Sequence, residues 1–223
     1  TRSGGEQARV RRPRVFAQLW DVHEGLLLVD EPGFVREVLE IRASFTARLL
    51  ENILREIQVD AVIFSEPIAS SQGPLVSPQM YRDLMSPAFE SIFTITDRFQ
   101  VPVSIWRSYA NPGALLPEVV KAGFDVLWLC ETPPGALDYA GLRRELGPEI
   151  GLMGGIDTDL LREPPGKIQQ VVEALLPLVD AGRYIPMADG RVREEIPFQN
   201  YVTYRRILEQ RVGNFPQNTK MLS

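Results

Sequence analysis

The sequence has one cysteine, Cys130, and one histidine, His23. A single thiol excludes an internal disulfide framework and any multi-cysteine zinc or iron–sulfur cage, and it fits a reducing cytoplasm. No apolar run reaches the roughly 18 residues that a membrane-spanning helix needs, and no secretory h-region follows the basic start. Gly-x-Gly-x-x-Gly is absent after the first apolar strand candidate, and Gly-x-x-x-x-Gly-Lys is absent throughout, which removes the common nucleotide-binding readings. Positive charge is in short supply too. With 24 Lys and Arg against 29 Asp and Glu, the net charge of −5 argues against a surface that coats nucleic acid. What remains is a 223-residue chain, 44% hydrophobic, able to bury a large core.

Residues 1–14 hold Gly4-Gly5 and the basic cluster Arg9, Arg11, Arg12 and Arg14, with little that can pack, and they read as a flexible leader. Residues 15–211 read as one domain and residues 212–223 as a tail. Within the domain, Pro32 opens a helix whose apolar positions include Phe34, Val35, Val38, Leu39, Ile41, Phe45, Leu49, Leu50, Ile53, Leu54 and Ile57. They recur at steps of three and four, as one face of an amphipathic helix.

Strand and helix patterns then alternate. Strands are expected at 59–64, 101–106, 126–130, 150–153 and 184–188. Helices are expected at 78–98 behind the Ser77 N-cap, 112–122 before Gly123, 137–146 before Gly147, 165–181 before Gly182, and 197–211. No Asn-Gly hairpin signal interrupts them. Apolar strands alternating with helices imply a parallel sheet covered by helices. A polar or charged residue is expected just beyond the carboxyl end of each strand: Glu66, Arg107, Glu131, Asp157 and Asp189. That placement favours a (β/α)8 TIM-type barrel over an open doubly wound sheet. Only about five units are recognisable, so the barrel is expected to be incomplete, with about a third of the domain preceding Thr1.

Three motifs carry a resemblance. Gly73-Pro74-Leu75-Val76-Ser77-Pro78-Gln79-Met80-Tyr81-Arg82, then Gly154-Gly155-Ile156-Asp157, then Pro197 with Asn200 after Asp189-Gly190, are similar in order and spacing to motifs of the uroporphyrinogen decarboxylase superfamily. That superfamily includes cobalamin-dependent methyltransferases. The resemblance covers residues 15–209 and implies a barrel whose first units lie outside the chain. It also implies departures. The zinc-binding His-x-Cys-Gly of the methyltransferases corresponds to Arg107, Tyr109 and Ala110, and a later cysteine to Asp189, so a zinc site of that kind is not expected. The Gly-His-Gly turn of the decarboxylases corresponds to Ala188-Asp189-Gly190.

On this reading Asp157, Asp189 and Glu66 are the candidate catalytic acids or orienting groups. Arg107, Tyr109, Arg191, Gly154 and Gly155 are the candidate ligand contacts, with Arg193 in support. Each has a plainer alternative: Asp157 as a helix cap, Asp189 as a salt-linked turn, Arg107 as the ion-pair partner of Glu131, Cys130 as a buried inert thiol. His23 has no nearby partner residue and reads as packed or exposed. The expected function is a decarboxylase-like enzyme that binds an anionic or tetrapyrrole-type small molecule at the barrel mouth without metal or organic cofactor. The alternatives are a corrinoid-dependent methyltransferase component, with the corrinoid on a separate partner protein, and a non-catalytic binding relative. No nucleic-acid or membrane partner is expected, and a homodimer is the candidate assembly.

Overall fold

The computed structural model describes residues 28–212 apart from residue 134. The expected leader, the segment containing His23 and residues 213–223 lie outside the described residues. Helix α1 (Pro32–Glu56) leads to β1 (Val62–Ser65), followed by two short strands, β2 (Ala69–Ser70) and β3 (Gly73–Pro74). Helix α2 comes in three segments, Pro78–Met80, a π-helical turn at Tyr81–Met85, and Ser86–Arg98. Then follow β4 (Ser104–Tyr109), a 3-10 turn (Gly113–Leu115) running into α3 (Leu116–Lys121), β5 (Val126–Cys130) and α4 (Tyr139–Leu146). The described chain continues with β6 (Gly151–Ile156), a 3-10 turn (Thr158–Arg162), α5 (Pro165–Asp180), β7 (Tyr184–Ala188) and α6 (Phe198–Val212).

The main sheet has the order β1-β4-β5-β6-β7, and every pair is parallel. Strands that succeed one another in the chain are neighbours in the sheet and the order never reverses, so there is no topological switch point. This is the wall of a (β/α)8 barrel rather than a doubly wound sheet, and it accounts for five of its strands.

Strand alternation divides the sheet into two faces. Phe64, Trp106, Leu127, Leu152 and Tyr184 are buried and pack with helix residues such as Leu84, Phe89, Leu116 and Val119 in one core. Phe64, Phe89 and Phe124 meet edge to face there, with centroids 5.0–5.7 Å apart. A second cluster, built on Ile156, Leu161, Ile168, Val172, Tyr204 and Leu208, seats α5 and α6. The opposite positions, Ile63, Ile105, Arg107, Tyr109, Trp128, Met153 and Ile185, face away from the helices and are half-buried or exposed.

Several boundaries differ from the sequence reading. Arg107 lies inside β4, because its strand goes on pairing with β5 as far as Tyr109 opposite Cys130. Gly154-Gly155 lies inside β6 and pairs with Pro186 and Met187, so the glycines do not form a turn beyond the strand. The pair Ala69–Ser70 and Gly73–Pro74 is a short antiparallel hairpin that no Asn-Gly announces. On α1 the packed stripe is Leu39, Ala43, Ala47 and Leu54, while Phe34, Ile41, Phe45, Leu49 and Ile53 are exposed. The expected single apolar face is therefore two stripes, and the alanines, which allow close approach, define the covered one. Among the described residues no helix is long and apolar enough to cross a membrane.

Candidate functional site

Glu66, Glu131, Asp157 and Asp189 each follow directly on the last residue of a strand, β1, β5, β6 and β7. The carboxyl ends of β5, β6 and β7 surround a cavity of about 200 Å³ lined by Glu131, Thr132, Asp157, Thr158, Asp189, Gly190, Arg191 and Arg193. The structure thus brings Asp157, Asp189 and Arg191 together. Glu66, Arg107 and Tyr109 lie outside this cavity.

Asp189 holds the cavity's walls. Its side chain is buried, with Oδ2 accepting from the Thr132 backbone N–H (3.4 Å) and hydroxyl (3.2 Å), and Oδ1 accepting from the Thr158 N–H and hydroxyl (both 3.3 Å). Its own N–H donates to the Ile156 carbonyl at 2.9 Å, and its carbonyl accepts from the Glu131 N–H at 3.1 Å. One residue therefore ties three strand ends. Burial raises its carboxyl above the ordinary value of 3.8, against the Thr132 hydrogen bonds, which pull it down. Thr132 and Thr158 were not singled out from the sequence. The available signal was that each directly follows an acidic strand-end residue.

Gly190 donates its N–H to Thr158 Oγ1 at 2.8 Å, and a Cβ there would lie 2.8 Å from the same oxygen, so only glycine fits. Asp157 accepts from the Asp159 N–H at 2.8 Å and caps the 3-10 turn Thr158–Arg162. Its carboxylate is exposed at the rim. Arg191 and Arg193 are exposed and form no ion pair among the described residues. Glu131 sits at φ 47° and Ala110 at φ 59°, so the ends of β4 and β5 both turn through left-handed conformations unusual for non-glycine residues.

Glu66 points to the helix side. Its Oε2 accepts from Trp106 Nε1 at 2.5 Å and from the Tyr81 hydroxyl at 3.2 Å, while its backbone carbonyl accepts from Ser108 Oγ at 2.7 Å. The side chain is 2% exposed, Oε1 has no partner, and burial pushes the carboxyl up to about 7. The carboxyl thus links β1 and β4 to the π-helical turn of α2.

Gly154 and Gly155 have φ +117° and +87°. A Cβ on Gly154 would meet the Tyr139 hydroxyl at 2.5 Å and the Leu129 carbonyl at 2.7 Å, and one on Gly155 would meet the Tyr184 hydroxyl at 2.5 Å. The glycine pair makes room for two tyrosines, whose hydroxyls donate to the carbonyls of Met153 (3.2 Å) and Gly154 (2.9 Å). Arg107 makes no ion pair with Glu131. Its guanidinium carbon lies 4.4 Å from the Trp128 ring centroid and 4.9 Å from that of Tyr109, and its Nε donates to Cys130 Sγ at 3.4 Å. Cys130 is buried, and burial raises its thiol.

Consecutive parallel strands, helices on one face and polar side chains at the carboxyl ends define a (β/α)8-barrel-type α/β protein. The chain belongs to the uroporphyrinogen decarboxylase (URO-D) family, whose model matches residues 26–201. A uroporphyrinogen decarboxylase of Aeromonas salmonicida is 26% identical over 123 residues, 53% of this chain and 33% of that protein. One from Pelobacter propionicus is 30% identical over 119 residues, 53% and 32% respectively. The chain thus spans about a third of the length of these curated relatives. A shorter match, 48% identical over 48 residues, is to the hemin import ATP-binding protein HmuV of Methylobacillus flagellatus and covers 21% of this chain and 18% of that protein. The Gly-x-x-x-x-Gly-Lys phosphate loop is absent here.

Proposed function

We propose that the chain carries part of a decarboxylase-like active site that binds a polycarboxylated, pyrrole-type small molecule at the barrel mouth and assists loss of CO2, without zinc. The observation that carries this reading is the cavity in which Asp189, a buried carboxyl with raised proton affinity, stands beside Arg191 and Arg193. Unpaired guanidinium groups are suited to substrate carboxylates, and a carboxyl whose proton affinity is raised by burial is suited to general-acid work.

In the reaction, a proton is added to the electron-rich ring and makes it an electron sink. The carbon–carboxylate bond breaks, CO2 leaves, and the bonding electron pair enters the ring. A second proton then goes to the exocyclic carbon as the ring proton is returned, so that one carboxylate and one proton become one CO2 and one C–H bond. Asp189 serves as the proton-holding group. Asp157 orients the rim through its cap, and Glu66 orients β4 through Trp106. Arg191 binds the ligand in the cavity, Arg107 and Tyr109 contact the part of it that extends beyond the cavity over β4, and the Gly154-Gly155 backbone shapes the β6 wall.

The side chains at the positions of a zinc-type methyltransferase, Arg107, Tyr109 and Asp189, lack the thiols and imidazole that would hold the ion. The test is CO2 release from a porphyrinogen by the full chain, expected to fall in Asp189→Asn and Arg191→Ala. Methyl transfer to or from a cob(I)amide carrier in place of CO2 release would move the assignment to a corrinoid-linked component. Porphyrinogen binding without turnover would make the chain a binding relative.

A further inference from the structure

The connection from β1 to α2 leaves one carboxyl and comes back to it. Glu66 is the first residue after β1 and Tyr81 opens the π-helical turn of α2, and the Tyr81 hydroxyl donates to Glu66 Oε2 at 3.2 Å from 15 residues further on. Trp106 Nε1 of β4 donates to the same oxygen at 2.5 Å. The loop closed in this way carries the β2–β3 hairpin and lies at the same end of the sheet as the cavity. Its other fastenings are few. Ile68 and Val76 are buried, the Ile68 N–H donates to the Glu66 carbonyl and the Leu75 N–H to the Ile68 carbonyl (both 2.9 Å), and the Asn111 N–H donates to the Ser70 carbonyl at 3.1 Å. Ser71, Gln72, Leu75 and Ser77 are exposed. The elements on either side are held more firmly: β1 pairs with β4 over four residues, and α2 sends Ala88, Phe89 and Ile92 into the core.

We propose that residues 66–81 form a strap at the mouth end of the sheet, clasped by the protonated Glu66 carboxyl and released when that carboxyl ionises. The clasp is built from neutral groups. Tyr81 faces Glu66 from α2, Trp106 and Ser108 face it from β4, and no charged side chain among the described residues pairs with it. Glu66 Oε1 has no partner. Burial pushes the carboxyl up to about 7, while burial and the neighbouring carboxyl raise the Tyr81 hydroxyl further, so Tyr81 keeps its proton as Glu66 titrates. An anion formed here meets no cation, and its bare oxygen has to find water. Water reaches it only when an enclosing element moves, and the strap has the fewest bonds to lose. Opening the strap lets the proton go to solvent, and closing it takes one back. The approach to the ends of β1 and β4 therefore widens above neutrality and narrows below it. The strap goes beyond the decarboxylase reading and stands without it.

The test is hydrogen exchange of the full chain at about pH 6 and about pH 8, read by mass spectrometry and corrected for the intrinsic pH dependence of amide exchange. Peptides spanning 67–77 are expected to be less protected than those of β5 and β6 under both conditions, and to lose about tenfold in protection as pH rises. Glu66→Gln, which cannot ionise, is expected to keep the strap equally protected at the two values. Tyr81→Phe, which keeps the ring in the core, is expected to lower strap protection at the acid end by more than it lowers that of β5 and β6. Strap protection equal to that of β5 and β6 overturns the proposal, because the strap then opens only with the whole chain. A corrected protection that does not change with pH in wild type overturns it too, as does a pH change that survives in Glu66→Gln. The wild-type comparison needs no variant, so it decides the matter even where Glu66→Gln fails to fold.

Discussion

The indole N–H of Trp106 points at Glu66 Oε2 from 2.5 Å, while Glu66 Oε1, equally buried, faces no partner. The carboxyl is thus half satisfied in the buried layer between sheet and helices, where its neutral form is favoured. Its proton affinity lies near pH 7, against an ordinary value of 4.5. Between these values the folded chain keeps a proton that the unfolded chain has released. The contribution of Glu66 to stability is complete below about pH 4.5, falls as pH rises, and is lost above about pH 7. The span corresponds to about 3 kcal/mol. Urea denaturation at about pH 5 and about pH 8 should show a drop in wild type that Glu66→Gln largely removes. An unaltered pH dependence in the variant would assign it to other groups.

Asp189→Asn retains one acceptor oxygen and turns the other into a donor, so either the Thr132 or the Thr158 pair loses its acceptor. The expected cost is about 1–3 kcal/mol in unfolding free energy. Porphyrinogen turnover should fall by more than that loss of stability explains when assayed well below the melting temperature. Thr132→Val removes the Oγ1 donor and should reproduce part of the stability loss.

The two glycines of β6 should respond differently to rescue. Gly154→Ala meets the Leu129 carbonyl, which is backbone, as well as the Tyr139 hydroxyl, so adding Tyr139→Phe should recover little. Gly155→Ala meets chiefly the Tyr184 hydroxyl, so adding Tyr184→Phe should recover a measurable share. Each alanine alone should cost about 2–4 kcal/mol, because positive φ adds strain to overpacking. Double-mutant cycles by chemical denaturation should give the larger coupling for the Gly155 and Tyr184 pair.

Arg143 ties the amino ends of β6 and β7. It donates to the carbonyls of Gly147 (3.0 Å), Ile150 (2.6 Å), Gly182 (3.3 Å) and Arg183 (3.0 Å). Arg143→Ala should lower stability by about 2–4 kcal/mol, since several partly buried carbonyls lose a charged donor. A lysine at this position cannot span the same set and should recover less than half. These contacts lie at the sheet end opposite the mouth, so ligand affinity measured below the melting temperature should be unchanged.

The alternation of units was legible in the sequence because each strand is short, apolar and punctuated by glycine or proline. Ser77, Gly123, Gly147 and Gly182 stop or start helices close to where the pattern puts them. The strand-end acids were legible for the same reason, Glu131, Asp157 and Asp189 each following an apolar run directly and Glu66 after one serine. What they do was not. Asp189 and Glu66 are governed by residues far away in the chain, Thr132 at a separation of 57 and Trp106 at 40. The role of Gly154 and Gly155 depends on two tyrosines that no local pattern links to them. The charge of Arg107 reads locally as a strand stop, but backbone pairing with β5 carries the strand past it. On α1, periodicity finds both apolar stripes and does not say which one packs.

Because strand order in the sheet equals strand order in the chain, each unit finds its neighbour just upstream. Pairings such as Val62 with Ser104, or Val126 with Gly151, close loops of modest length, and modest loops favour fast assembly. A wall built in this order can grow during synthesis, each new strand and helix docking on one already laid down, with no need for the far end to have emerged.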